Sequence, residues 1–357
     1  MEDPSKEAVF YEGALVPGFV NAHCHVELSY LKGQFRRGTG MAGFIDQINA
    51  LRDNKNIEEK VAELKNEMDR LWNSGVVAMA DISNCADSFP VKASHPMYTR
   101  TFLEVFGTEK KDCPAVMAGV TALKKKAEEY GLDAAPTPHA CYTMSPELIR
   151  ESITAGLSSG FLSYHSEESP EEDEMVRFGS GPMWDNRKNA GMSVPPVTGT
   201  GSLSYFLGLL GEAVKIPVEG NVLLVHECCM DREGAREAKA ILRHPFIALC
   251  PKSNLFIHKL LPPVHMMREE GLKLCVGTDS LSSNDELDMV GELFCLQTYF
   301  PDIPLGELLT WACRNGAEFL AKGSVFGSFE PGKKPGVVLI DNILDGRLTA
   351  ESKSCRL

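Results

Sequence analysis

His23-Cys24-His25 closes an apolar run, and because alternate residues of a strand point the same way, the two imidazoles can share one metal ion. The run itself, residues 14–22, has the Val and Phe content of a buried strand leading into the pair. Three more runs end on side chains of the same chemical kind. Gly160-Phe161-Leu162-Ser163-Tyr164 leads to His165 and, three residues on, to Glu168; Asn221-Val222-Leu223-Leu224-Val225 leads to His226; residues 271–278 lead to Asp279. A lone His-x-His motif says little, since polar residues often sit at strand ends. Four such deliveries in order predict one metal centre assembled from several strands.

The elements that would position these groups alternate between strand-like and helix-like patterns, which predicts a parallel sheet with helices outside it. Ile57, Val61, Leu64, Met68 and Leu71 recur at helical spacing over residues 56–73, with Gly75 as a stop. Strands are predicted at 76–82, 98–106 and, more faintly, 134–139, with a helix over 114–130 closed by Gly131. Ser145 and Pro146 mark the cap and first position of another helix. The His165 strand is fifth. The polar, acidic stretch 171–200 suggests a long active-site loop or lid, and 202–210 a short helix. The His226 strand is sixth, Asp231 caps the next helix, 246–250 forms a seventh strand, and Asp279 ends the eighth. Eight strand–helix units make a (β/α)8 barrel, expected over residues 13–325, in which functional groups gather at the carboxyl ends of the strands.

Composition suits an enzyme of this size. The chain has 357 residues and 43% hydrophobic content, enough for a large core. Its 36 Lys and Arg against 49 Asp and Glu give a net charge of −13, which argues against nucleic acid or an anionic membrane as partner. Lys124-Lys125-Lys126, the longest basic run, reads as a solvated helix face ahead of Glu128 and Glu129. No secretory-type start and no apolar run of about 20 residues is present, so the cytoplasm is the expected location. Eleven cysteines, an odd number, fit no complete disulfide set, and the absence of a Cys-x-x-Cys pair speaks against structural zinc. Cys24, Cys228, Cys229, Cys250 and Cys275 are expected to pack as small hydrophobes.

Four segments carry a family resemblance. Pro17-Gly18-Phe19-Val20-Asn21-Ala22-His23-Cys24-His25, Pro138-His139-Ala140-Cys141-Tyr142-Thr143, His165-Ser166-Glu167-Glu168-Ser169 and Val276-Gly277-Thr278-Asp279-Ser280 resemble the metal-dependent amidohydrolase superfamily. Within it they are similar to the cytosine deaminase-like branch of deaminases and triazine chlorohydrolases, and Glu27-Leu28-Ser29 resembles the aminodeoxyfutalosine deaminases. The resemblance implies His23, His25, His165 and Asp279 as ligands of one divalent ion, Zn²⁺ foremost with Fe²⁺ as the other candidate. It implies that ionised water attacks a ring carbon, that Asp279 also takes a proton, that Glu168, with a raised pKa, protonates a ring nitrogen, and that His226 holds the water or the developing charge. The expected reaction is hydrolytic deamination of an aminopurine-type nucleoside or related amino-heterocycle, with cyclic amide hydrolysis, dechlorination and a catalytically silent binding protein as alternatives. Binuclear relatives use a modified lysine at the fourth strand. No lysine lies between Lys126 and Lys188, which favours a single ion.

The same resemblance makes 326–357 the return to a small β-domain whose other part, residues 1–12, is short, so that this domain is expected to be reduced or the chain start missing. Apolar surface left uncovered there would suit a homodimer contact. His139 is expected to contact substrate, with a loop hydrogen bond as its plainer reading. Glu27 would recognise a ribose or amino group, or order a ligand from behind. His226 taken alone is also what a satisfied core histidine looks like. His95, His244, His258 and His265 are expected to stand outside the chemistry. Adenosine, S-adenosylhomocysteine, methylthioadenosine, guanine and pterins all remain open as substrates, because pocket shape decides among them.

Overall fold

The computed structural model describes residues 10–357. The first nine residues of the expected 1–12 segment therefore lie outside the described residues. The apolar run before the His pair is two strands and not one: β1 (Ala14–Pro17) and β2 (Phe19–Cys24) part at Gly18. A Cβ on Gly18 would lie 2.2 Å from Val77 Cγ1 and 2.5 Å from the Pro335 carbonyl oxygen, so only glycine lets the chain turn from one sheet into the other there.

Eight parallel strands follow the barrel order: β2, β3 (Val76–Ser83), β4 (Tyr98–Val105), β5 (Asp133–Pro138), β6 (Phe161–Ser166), β7 (Val218–His226), β8 (Leu242–Leu249) and β9 (Lys273–Val276). They hydrogen-bond as two four-stranded parallel sheets, β2-β3-β4-β5 and β6-β7-β8-β9. Both seams are closed by backbone at the site end. His165 N donates to His139 O at 2.9 Å, while Thr278 N and Asp279 N donate to His23 O at 3.0 and 3.1 Å. The seams thus join the residues singled out in the sequence.

Inside the barrel, small and branched residues such as Ala22, Ala78, Ala80, Val225 and Ala248 leave room above a base filled by Phe319. That ring stacks on Phe102 at 6.0 Å and meets Phe246 at 5.6 Å and Phe161 at 6.2 Å. Outside, amphipathic helices cover the strands. The helix Ile57–Asn73 starts with a reciprocal capping box between Asn56 and Glu59, and Pro146–Leu157 with Ser145 accepting from Leu148 N.

Residues 171–200 correct the expectation of a plain loop, because helices Pro170–Phe178 and Pro182–Asn189 occupy most of it. Ser169-Pro170-Glu171-Glu172 is a helix start: Ser169 Oγ accepts from Glu172 N, Pro170 takes the first turn, and the acidic residues of the first turn face the positive end of the dipole. β8 likewise starts at Leu242, ahead of the predicted 246.

A small antiparallel sheet, β1 with β10 (Val337–Ile340) and β11 (Ser354–Arg356), sits against the barrel. Since β1 belongs to it, the chain start contributes to this sheet from residue 14, beyond the boundary expected at residue 13. Val16 and Val338 pair on its buried face, whereas Leu15 and Val337 stay 54% and 38% exposed on the other. All eleven cysteines are free. Among the described residues, no helix is long and apolar enough to cross a membrane.

Candidate active site

The carboxyl end of β2 turns directly into a short 3-10 helix, Val26–Leu31, which fixes His23 and His25 at the barrel mouth. Nitrogens of His23, His25 and His165 all lie within 4.8 Å of one another, with His25 Nε2 3.2 Å from His165 Nε2. Asp279 Oδ1 faces the pair at 3.8 Å from His23 Nε2 and 3.7 Å from His25 Nε2. Its other oxygen is occupied: Ser253 Oγ donates to Oδ2 at 2.5 Å and Ser283 Oγ at 2.9 Å. Both serines thereby turn one carboxylate oxygen toward the imidazoles.

Burial, then the positive charge of neighbouring imidazoles, pushes the pKa values of His23 and His165 well below the ordinary histidine value. Neutral rings are the form that binds a metal. Both ring nitrogens of His23 are buried without a hydrogen-bond partner. An imidazole buried with nothing to bond, two more beside it and one aimed carboxylate oxygen make a donor set that fits a divalent ion such as Zn²⁺.

Glu168 sits in a second, adjoining group. Its Oε1 lies 3.6 Å from His226 Nε2 and 3.8 Å from His258 Nε2, and Tyr142 Oη donates to Oε2 at 3.2 Å. Asn254 Nδ2, 3.0 Å from His226 Nδ1, donates to that nitrogen and leaves Nε2 to carry the proton toward Glu168. Burial acts to raise the Glu168 pKa, but His226, His258 and His139 outweigh it and hold the carboxyl down at about 2. This corrects the expected raised value.

Behind Glu168, Glu172 accepts from the backbone amides of Glu167 at 3.1 Å and Glu168 at 2.9 Å, so the loop after β6 is tied down through a side chain. Burial pushes Glu172 up to about 8 and Glu167 to about 7. His139 stands beside His165, ring centroids 4.6 Å apart, with Nδ1 2.6 Å from Thr143 Oγ1. Glu27 is engaged elsewhere: its oxygens accept from Asn84 N at 2.9 Å and Ser88 Oγ at 2.7 Å, so it braces the loop after β3.

Residues 14–353 match the family model described as amidohydrolase family. The chain belongs to the amidohydrolase family. Members are metal-dependent hydrolases, and this amidohydrolase is accordingly a hydrolase acting on carbon–nitrogen bonds other than peptide bonds. It is similar to an adenosine deaminase of Helicobacter pylori, 28% identical over 343 residues covering 93% of this chain and 80% of that one. A 5-methylthioadenosine/S-adenosylhomocysteine deaminase of Moorella thermoacetica is 24% identical, over 91% of this chain and 73% of its own. The crystal structure of Helicobacter pylori aminofutalosine deaminase with methylthio-coformycin superimposes with a TM-score of 0.80 at 25% identity, covering 99% of this chain and 89% of that one.

The amidohydrolase mouth also holds residues the sequence reading passed over. His258 was expected to stand apart, yet the helix Pro251–Ile257 after β8 carries it to Glu168, its side chain only 5% exposed. Glu104, near the end of β4, places Oε1 3.7 Å from both His139 and His165. Val105 and Phe106 follow Glu104, so it does not close its apolar run, and the signal that singled out Asp279 does not find it.

Proposed function

We propose that this amidohydrolase is a hydrolytic deaminase of an adenine-type nucleoside, using one divalent ion, Zn²⁺ foremost, held by His23, His25, His165 and Asp279. The observation that carries the reading is the meeting of three buried imidazoles and the aimed Asp279 oxygen, with Glu168 three residues beyond His165 in the loop after β6. Relatives named adenosine, methylthioadenosine/S-adenosylhomocysteine and aminofutalosine deaminases support the nucleoside class.

When bound, the ion supplies acidified water, with a pKa brought from about 15.7 to about 7. Glu168 starts as a carboxylate, takes one proton of that water and delivers it to the ring nitrogen next to the amino-bearing carbon. Asp279, whose Oδ2 is held by two serines while Oδ1 faces the site, passes the remaining water proton to the amino group. A carbon–oxygen bond forms, the exocyclic carbon–nitrogen bond breaks, and ammonia leaves with a lactam-type ring as the other product. His226, oriented by Asn254, donates from Nε2 toward Glu168 and the incoming oxygen. His139 sets one wall for the ring, and Glu27 keeps the β3 loop in place beside it.

The reading is tested by measuring ammonia and the accompanying ultraviolet shift with zinc-loaded protein on adenine nucleosides, free bases, pterins and triazines. Release from a nucleoside and not from triazines is expected. Chloride release from a chlorotriazine, or ring opening without ammonia, would replace the reaction assigned.

A further inference from the structure

Glu104 is a buried carboxylate that none of the chemistry above uses. One oxygen, Oε2, accepts from Asn84 Nδ2 at 3.0 Å, and Asn84 is itself held by its backbone amide donating to Glu27. The other oxygen, Oε1, is buried without a hydrogen-bond partner and lies 3.7 Å from His165 Nδ1 and 3.7 Å from His139 Nε2. Only 6% of the side chain is exposed. On the opposite edge of the His165 ring, Nε2 faces His25 Nε2 at 3.2 Å. His165 thus has one nitrogen toward the imidazole cluster and the other toward a fixed carboxylate oxygen. A carboxylate has no proton to give, so a hydrogen bond between the two takes its proton from the ring nitrogen facing the carboxylate.

We propose that Glu104 is a positioning residue that fixes His165 as an Nε2 metal ligand and, through the same oxygen, sets the face that His139 presents to substrate. The proposal rests on the reading of His165 as a ligand. A proton on Nδ1 leaves the Nε2 lone pair directed into the cluster, and the nearby negative charge makes that nitrogen a stronger donor. Closing the 3.7 Å gap to an ordinary hydrogen bond of about 2.9 Å needs a shift of about 0.8 Å, within reach of a small ring rotation. His139 is braced from its far side by Thr143 at 2.6 Å, while its Nε2 faces Glu104 Oε1 at 3.7 Å. A metal-binding side chain and a substrate-facing side chain therefore share one anchor, which makes ion affinity and substrate affinity vary together.

The test compares the parent holoenzyme with Glu104→Gln, Glu104→Ala and His165→Ala. Zinc stoichiometry and affinity are taken from competition with a chromogenic chelator, thermal unfolding serves as a check on the fold, and KM is measured at saturating zinc. The proposal expects one zinc in the parent and an affinity about 10- to 100-fold weaker in Glu104→Ala. Glu104→Gln, which keeps an acceptor but loses the charge, should fall in between, and KM should rise in the same order. Parent-like zinc affinity in folded Glu104→Ala overturns the proposal while leaving the metal assignment intact. Two zinc ions in the parent and one in Glu104→Ala also overturn it, by making Glu104 a ligand of a second ion. Stoichiometric zinc retained by His165→Ala would instead remove the ligand reading on which the proposal stands.

Discussion

The two ends of the barrel solve opposite problems. At the amino-terminal base, aromatic rings from β4, β6 and β8 close around Phe319, with the Arg100 guanidinium over Phe102 and Phe161. At the carboxyl-terminal mouth, His23, His258 and Glu227 keep buried polar atoms with no hydrogen-bond partner. Among the described residues, four of the eight non-glycine residues with positive φ, Glu167, His226, Glu227 and Asp279, stand just where β6, β7 and β9 run out. Left-handed backbone and unpaired buried polarity each cost on the order of 1–3 kcal/mol. The left-handed residues at these strand ends mark a mouth built for ligands, while unpaired buried polar atoms occur there and also at Thr99, Arg100 and Thr101 of β4.

Substitutions at the two ends should separate these roles. His165→Ala or Asp279→Ala should leave no retained zinc and no measurable turnover, checked by elemental analysis and ammonia assay; stoichiometric zinc in either variant removes that residue from the ligand set. Glu168→Gln should keep the ion and lower kcat by about 10²–10⁴-fold, so wild-type turnover would cancel its role as proton carrier. Phe319→Ala should lose about 3–5 kcal/mol in denaturant unfolding while the folded fraction keeps its kcat/KM. A selective fall in kcat/KM there would mean that the base and the mouth are not independent.

The smallest effect concerns pH. Glu172, held at about 8 against an ordinary value near 4.5, keeps a proton in the folded chain that the unfolded chain has released. Its contribution to stability is full below pH 4.5 and is lost as pH rises through 8; Glu167, at about 7, acts in the same sense. This contribution should lower the melting temperature between pH 5 and pH 8, against the rise that the neutral His23 and His165 give at the acid end, and Glu172→Gln should remove it. Phe319→Ala should lower the whole curve and keep its slope. An unchanged slope in Glu172→Gln would mean that its carboxyl is not the proton holder.

Most of the architecture was legible because strand-end polar residues stand out against apolar runs. His165, His226 and Asp279 each end such a run, and the barrel order and helix Ile57–Asn73 followed from spacing. What escaped notice depended on approach in space. Gly18 breaks the first run only because Val77 and Pro335 press on it. The Ser169 cap hides in an acidic stretch that composition reads as solvated, and Glu104 looks like an ordinary surface position of a strand. His258 becomes a neighbour of Glu168 only through the turn of the helix that precedes it.

The most direct measurement is a zinc titration of chelator-stripped protein, following ammonia release from an adenine nucleoside at each step. The account predicts no release without zinc and a rise that levels off at one equivalent per chain. Release that persists without metal, or silence at one bound equivalent across the nucleoside series, would contradict it.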